Sequence, residues 1–459
     1  MSVLDQLLAE LGPDVVTPGP QVPAPHHHDW SGEPPVMPLA LVRPRTTAEV
    51  SAALRLCHAS GTPVVPQGGR SGLCGGARPV PGGVALSLDR MNRVVGIDTR
   101  QATMTVEAGC VLQNAQGAAA EAGLLLGVDL GARGTCTVGG VISTNAGGVQ
   151  VLRYGMTREN LLGLEVVLAD GTVLPAMNQL LKNNVGVDLK HLFIGTEGLL
   201  GVVTQAVFRL HPRPTHTATA FAGCAGPGEM LALLAHARAT LGPALTSFEA
   251  MWPSFYDVMR PGIGAAHPLE GTHGMYVILE AGGFDASVTE RMEASLAGAM
   301  EAGLVEDAVI ARNAREEAGL WAVRESVSEY GRILGQMTPF DIGLKLDLME
   351  EATNRMDQAL RARWPDVRAL FYGHMGDSNL HLVVNVPGAD PQPSKEVKEI
   401  VYGLTRDYGG TVSAEHGIGT LKRDVIGYSR SPEELAAMRA VKAALDPKGI
   451  LNPGRSFAA

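Results

Sequence analysis

Apolar positions recur along this chain in two rhythms. Short runs of near-alternating or continuous apolar character predict strands at Leu39-Ala40-Leu41-Val42-Arg43-Pro44, Pro63-Val64-Val65-Pro66, Val84-Ala85-Leu86-Ser87-Leu88, Thr103-Met104-Thr105-Val106-Glu107 and Leu164-Glu165-Val166-Val167-Leu168. The last run closes at the turn Ala169-Asp170-Gly171-Thr172. Helical spacing from Thr47 to Cys57 predicts a helix, with Thr46 or Thr47 as its N-cap. The start of the chain, Met1 to Leu11, reads as a short acidic amphipathic helix, and the Pro- and His-rich stretch from Pro18 to Pro38 as an irregular surface segment.

The rhythm changes around Arg213-Pro214. Beyond it the density of glycine motifs falls, and Ala-rich helical stretches follow at Glu229 to Leu241, Ser287 to Ala302 and Arg312 to Arg332. A closing helix from Ser431 to Leu445 carries Pro432 in its first turn and ends at Asp446-Pro447-Lys448-Gly449. This pattern divides the chain into an N-terminal segment (1–38), a glycine-rich domain (39–214), a second domain (215–428) and a C-terminal helical segment (429–459).

Composition narrows the function. A chain of 459 residues exceeds one ordinary core, and abundant Gly and Ala with few aromatics fit a loop-rich α/β or α+β enzyme. The formal net charge of -10, without a block of Lys and Arg, lacks the footprint of a nucleic-acid binder. Five scattered cysteines, Cys57, Cys74, Cys110, Cys136 and Cys224, form no C-x-x-C, so neither a disulfide framework nor a zinc ribbon is expected. No apolar run is long enough to span a bilayer, and the start of the chain lacks a secretory pattern, so a cytoplasmic enzyme is expected.

Two glycine loops carry candidate binding chemistry. The first, Val65-Pro66-Gln67-Gly68-Gly69-Arg70-Ser71-Gly72-Leu73-Cys74-Gly75-Gly76, directly follows a strand. Successive glycines let backbone N–H groups face an anion and let a diphosphate approach closely. It is neither a Walker loop nor a Rossmann fingerprint. The second, from Asp129 to Gly148, combines glycines with hydroxyls and an amide at Thr135, Ser143, Thr144 and Asn145, a set able to hydrogen-bond a large polar cofactor.

A third constellation lies near the C-terminal end, in Tyr372-Gly373-His374-Met375-Gly376-Asp377-Ser378-Asn379-Leu380-His381 and, further on, Ser413-Ala414-Glu415-His416-Gly417. Imidazole and carboxylate groups suit a divalent ion such as zinc or manganese, with a fourth group free to accept a proton. On one continuous strand His374 and His381 would point to opposite faces, but the intervening Gly-Asp-Ser supplies a turn that lets the rings converge. Alone, this set also fits a hydrolase or a structural zinc site.

Together these residues resemble the FAD-dependent D-2-hydroxyacid dehydrogenases of the vanillyl-alcohol oxidase superfamily, from about Leu39 to Leu451-Asn452-Pro453-Gly454-Arg455. The segments Met91-Asn92-Arg93-Val94, Ala108-Gly109-Cys110-Val111-Leu112 and Asp129-Leu130-Gly131-Ala132-Arg133-Gly134 are most similar to the D-2-hydroxyglutarate dehydrogenase branch. The resemblance implies an α+β protein: an FAD-binding domain of two α/β subdomains, and a C-terminal α+β substrate or cap domain with an antiparallel sheet. It implies that Pro66, Gly68, Gly69, Arg70, Ser71, Gly72 and Leu73 hold the FAD pyrophosphate, that Thr135, Gly139, Gly140, Ser143, Thr144, Asn145 and Gly147 line the flavin, and that Gly201, Val202 and Asn452 complete its site. Arg70 stands where some relatives have a flavin-tethering His, which implies non-covalent FAD. Cys136 offers a thioether as an alternative, although a small packed thiol is the simpler reading.

The same resemblance implies a divalent metal on His374, His381 and Glu415, His416 as the proton acceptor, Arg324 and Ser328 as substrate-binding groups, and Asn379 as a further support. Lys422 either assists electrostatically or faces solvent. The implied reaction is oxidation of a D-2-hydroxy acid, D-2-hydroxyglutarate first, to the 2-oxo acid by hydride transfer to flavin. No Cys-rich iron–sulfur segment is present, so a separate acceptor such as electron-transfer flavoprotein, a quinone or a cytochrome is expected. A homodimer is the candidate assembly. Two departures favour a smaller or less polar substrate such as D-lactate: Pro339 replaces a usual substrate-binding Lys, and Val383 a usual Asn. Lys345 lies about 20 Å along a strand from position 339 at ~3.3 Å per residue, too far for a direct swap. An oxygen-reducing oxidase and a non-catalytic flavin-binding subunit are the remaining alternatives.

Overall fold

The computed structural model describes residues 1–458 and divides into two compact units. The first comprises residues 1–147, 155–213 and 415–459, and the second 148–154 and 214–414. The sequence places the first crossing at 214 and the return at 429, whereas the chain returns at 415. The N-terminal 38 residues belong to the first unit.

In the first unit a four-stranded sheet runs in the order Val16–Pro18, Ala40–Val42, Val84–Ser87, Val64–Gln67, with the last three strands parallel. A five-stranded antiparallel sheet has the order Val94–Asp98, Thr103–Glu107, Val202–Arg209, Leu161–Val167, Val173–Ala176. The predicted helix after Leu41-Val42 spans Thr47–Ser60: the Thr46 hydroxyl accepts from the Glu49 N–H, and Gly61 ends it at φ 69°. Its buried positions Val50, Ala53, Leu54 and Cys57 follow helical spacing and join one core with Val42, Leu86, Met104, Val106, Ile142, Val166 and Phe208.

The stretch from Pro18 to Pro38 is not a surface segment throughout. His26 and Asp29 are buried: His26 Nδ1 meets Gln67 Oε1 at 2.8 Å, and an Asp29 oxygen accepts from the Ala77 N–H at 3.1 Å. Prolines there break regular structure without keeping the chain at the surface.

The second unit is built on a seven-stranded sheet in which every pairing is antiparallel, ordered Asp307–Ile310, His216–Cys224, Met275–Gly283, Leu245–Met251, Arg368–His374, Asn379–Asn385, Thr338–Gly343. Leu245–Met251 and Asn379–Asn385 are buried at every position, so both faces are covered. One face carries Phe221, Met251, Tyr276, Ile278, Leu370, Tyr372 and Val383 against Phe255, Tyr256 and Met259 of the helix Pro253–Gly262 and against Leu320, Val323, Tyr330 and Leu334.

The helix expected from Arg312 to Arg332 is broken into Ala314–Trp321, a 3-10 turn Ser326–Glu329 and Tyr330–Leu334. The Ser326 hydroxyl donates to the Val323 carbonyl at 2.6 Å, a local bond that competes with helical pairing. The interruption lets Val323 and Arg324 both be buried. Among the described residues no helix is long and apolar enough to cross a membrane.

The closing helix Pro432–Leu445 begins with a capping box on Ser431 and Glu434. From it, buried Lys442 donates to the carbonyls of Leu199 and Leu451 at 2.7 and 2.8 Å and pairs with Asp446, whose oxygens also accept from the Ile450 and Leu451 N–H groups. Lys442→Met leaves that carboxylate buried without its cation and is expected to cost about 3–5 kcal/mol. A urea-unfolding midpoint equal to wild type would show that the pair contributes nothing.

Candidate flavin loops and active-site face

The strand Val64–Gln67 delivers the first glycine loop, and Gln67 pins it. Its side chain donates to the carbonyls of His26 and Ala77 at 3.0 and 2.9 Å. A Cβ on Gly68 would lie 2.4 Å from Thr137 Oγ1, and one on Gly69 1.9 Å from the Thr135 carbonyl oxygen. The two loops are therefore in close backbone contact, which only glycine permits. Arg70 has φ 55°, Ser71 is half-buried, and Gly72 and Leu73 are exposed.

The second loop becomes the helix Val138–Thr144, capped by Asn145 at φ 50°. Gly139 packs so tightly on Ala108 that a Cβ would lie 2.8 Å from that methyl, and Gly201 similarly abuts Val166 just ahead of Val202. The hydroxyls expected to face a cofactor are partly engaged. Thr135 donates to the Ala132 carbonyl, Ser143 to Gly139 and Thr144 to Gly140. Gly147 is buried at the end of the loop. Thr137, absent from the predicted set, is buried, and its Oγ1 has no hydrogen-bond partner among the described residues; the same holds for Asn452 Oδ1. Orphaned polar atoms beside side-chain-free backbone fit a polar cofactor such as FAD.

Glu197 was also missed. It sits at φ 54° and is half-buried, and desolvation pushes its carboxyl upward against the opposing pull of two donors, the N–H groups of Ile418 at 2.8 Å and Gly419 at 2.7 Å. Its own N–H donates to the Ser143 carbonyl, and its carbonyl accepts from Asn452 Nδ2. One residue thus fastens the segment after His416 to the glycine loops. Lys422, whose solvent-facing alternative the structure excludes, is buried at 6% exposure.

The second constellation is assembled by strand register. His374 pairs with Glu249 on one side and Asn379 on the other, while His381 pairs with Tyr372 and Asp341. Opposed residues on neighbouring strands share a face, and so do residues two apart along a strand. Glu249, His374, Asn379, Tyr372, His381 and Asp341 therefore all project from the same face. The hairpin turn expected at Gly-Asp-Ser is present, with Ser378 at φ 69°.

Glu249 and Arg324 organise this face, and Glu249 was not legible as a site residue. The Glu249 carboxylate accepts from His374 Nδ1 at 2.7 Å and from Arg324 Nε at 2.8 Å. Burial alone would raise its carboxyl, but His374 and Arg324 outweigh that effect and hold it below its ordinary value. Arg324 is 7% exposed, with its guanidinium 4.8 Å over the Tyr372 ring. Ser328, by contrast, is exposed in its 3-10 turn. Asn379 is buried, and neither polar atom of its carboxamide finds a partner among the described residues.

Thr411 bridges to Gly343, and the Ser413 hydroxyl donates to Asp341 at 3.1 Å, so the chain approaching Glu415 is fastened to the outer strand. Asp341, His374 and His381 belong to the second unit, while Glu415 and His416 open the returning segment of the first. Imidazoles and carboxylates are ligand types that suit a divalent cation.

Residues 38–176 match a family model described as FAD binding domain, and residues 213–456 one described as FAD linked oxidases, C-terminal domain. The chain is 40% identical to D-2-hydroxyglutarate dehydrogenase, mitochondrial, of Bos taurus over 97% of this chain and 82% of that protein. It is 35% identical to a putative mitochondrial D-lactate dehydrogenase of Schizosaccharomyces pombe over 93% and 83%. A solved structure of p-cresol methylhydroxylase with substrate bound shares the fold at TM-score 0.79 and 17% identity, covering 99% of this chain and 96% of that one. Glycine loops, a C-terminal oxidase domain and an alignment spanning almost the whole chain lead to one conclusion: it belongs to the FAD-dependent D-2-hydroxyacid dehydrogenases, in the D-2-hydroxyglutarate dehydrogenase branch.

Proposed function

We propose that this enzyme oxidises D-2-hydroxyglutarate to its 2-oxo acid with non-covalently held FAD and a divalent metal, zinc or manganese, and hands the electrons to a separate acceptor such as electron-transfer flavoprotein, a quinone or a cytochrome. The observation that carries the reading is the sheet face on which His374, His381 and Asn379 stand beside the buried Arg324. FAD, when bound, supplies the acceptor for the hydrogen leaving the substrate Cα with its electron pair. A divalent cation held by His374, His381 and Glu415 supplies Lewis acidity that lowers the pKa of the substrate hydroxyl.

The chain's own groups complete the chemistry. His416 accepts the hydroxyl proton on a ring nitrogen, a general-base role that an imidazole can fill. Arg324 spends its Nε on Glu249, which leaves Nη hydrogens to donate to a substrate carboxylate. Asn379 offers a donating NH2 group and an accepting oxygen, both buried and without a partner among the described residues. The apolar and aromatic layer over the same face, from Phe255 to Tyr330, excludes water from these bonds and strengthens them.

One observation favours a second reading in which the substrate is a less polar hydroxy acid such as D-lactate. Pro339 and Val383 are directly opposed in the register, one pleat from His381 and Asp341 on the same face. Both positions lack a hydrogen-bonding side chain, so this pair cannot bind a distal carboxylate.

Anaerobic flavin bleaching across D- and L-2-hydroxy acids, before and after chelation, tests the reading. Bleaching by D acids alone, lost on chelation and restored by zinc or manganese, is expected; full bleaching in metal-free protein would refute the metal role. D-lactate outpacing D-2-hydroxyglutarate would select the second reading. His416→Ala should keep its FAD absorbance while flavin reduction slows by about 10²–10⁴-fold, and near-native reduction would remove His416 from the base role. Burial pushes the Cys136 thiol up to about 12, which withholds the thiolate needed for a thioether. Acid precipitation is accordingly expected to release all flavin to the supernatant, and a yellow pellet would contradict non-covalent binding.

A further inference from the structure

We infer that Glu249 is a positioning residue, one carboxylate that both aims the His374 imidazole and neutralises Arg324 so that a divalent cation can be held beside it. The inference rests on the metal reading above. Glu249 lies on the strand Leu245–Met251, opposed to His374, and its side chain is 1% exposed. Its two oxygens are divided between two donors: Oε1 accepts from His374 Nδ1 at 2.7 Å and Oε2 from Arg324 Nε at 2.8 Å.

The first bond sets the imidazole. A carboxylate can only accept, so Nδ1 carries the hydrogen, and the lone pair available to a cation is on Nε2. The second bond sets the charge. Arg324 Nη2 lies 3.3 Å from His374 Nε2, so a full positive charge stands beside the nitrogen that would bind the cation. In a buried environment two positive centres so close repel strongly unless an anion offsets one of them. Among the described residues Glu249 is the carboxylate bonded to Arg324, and it reaches the imidazole as well. It touches neither substrate nor flavin in this scheme and acts through His374 and Arg324.

The test compares purified wild-type, Glu249→Gln and Glu249→Asp flavoproteins by competitive zinc titration against a chromophoric chelator, together with FAD content and the zinc concentration giving half-maximal flavin bleaching. Gln keeps the shape and loses the charge; Asp keeps the charge and cannot reach both donors. Zinc affinity is expected to fall about 10–100-fold in Glu249→Gln with FAD content unchanged, the range for loss of a group that orients a metal-ligating His. Saturating zinc should restore bleaching, which it would not do for a merely misfolded site. Wild-type zinc affinity in Glu249→Gln overturns the inference. If that variant does not fold, Glu249→Asp carries the test, and wild-type affinity there overturns it equally. A wild-type protein that binds neither zinc nor manganese removes the metal reading itself, and this inference with it, before any variant is compared.

Discussion

Everything at the proposed active site depends on the register in which Arg368–His374 pairs with Asn379–Asn385. A slip of one residue would turn His381 and Asn379 to the opposite face and leave His374 alone. The opposite face resists that slip, because Phe340, Ile342, Leu380, Leu382 and Val384 are all buried there, with Phe340 edge-on to Tyr402. At the turn, a Cβ on Gly373 would lie 2.2 Å from the Asn379 carbonyl oxygen, so the hairpin closes only around glycine. An apolar requirement on one side thereby fixes polar chemistry on the other.

That chemistry is costly to fold. Glu249, Asp341, His374 and His381 share a buried sheet face with buried Arg324 set against it, where unpaired charge is penalised by several kcal/mol per ion, on the order seen for buried ions generally. Pairing offsets the penalty without turning it into a gain, since apolar side chains of similar size would serve stability at least as well. The polar end of the face therefore answers to the proposed chemistry, and the apolar end, from Phe221 to Val383, to folding.

What could be read from the chain divides along the same line. Alternation and capping residues placed five strands of the first unit and the helices Thr47–Ser60 and Pro432–Leu445 to within three residues at each end, because those signals are local. The glycine loops and the His/Glu motifs were legible because each is contiguous in sequence. Glu249 was not: in Thr246-Ser247-Phe248-Glu249-Ala250 it resembles the solvent-side residue of a half-buried strand, and only pairing with a strand more than a hundred residues later shows otherwise. Glu197 escaped for a like reason, its donors lying at Ile418 and Gly419. The interruption after Trp321 was hidden because helix propensity there is ordinary, and burial of Arg324 overrides it.

The double attachment of Glu197 also bears on how such an enzyme can change over generations. It grips the segment after His416 with its side chain and the end of the helix Val138–Thr144 with its backbone. Substitutions at either place strain the same residue, so their energetic effects will not add. A lineage that alters its glycine loop disturbs the segment after His416 as well, and compensation must come through this one glutamate. The two segments are thus heritable as a single trait.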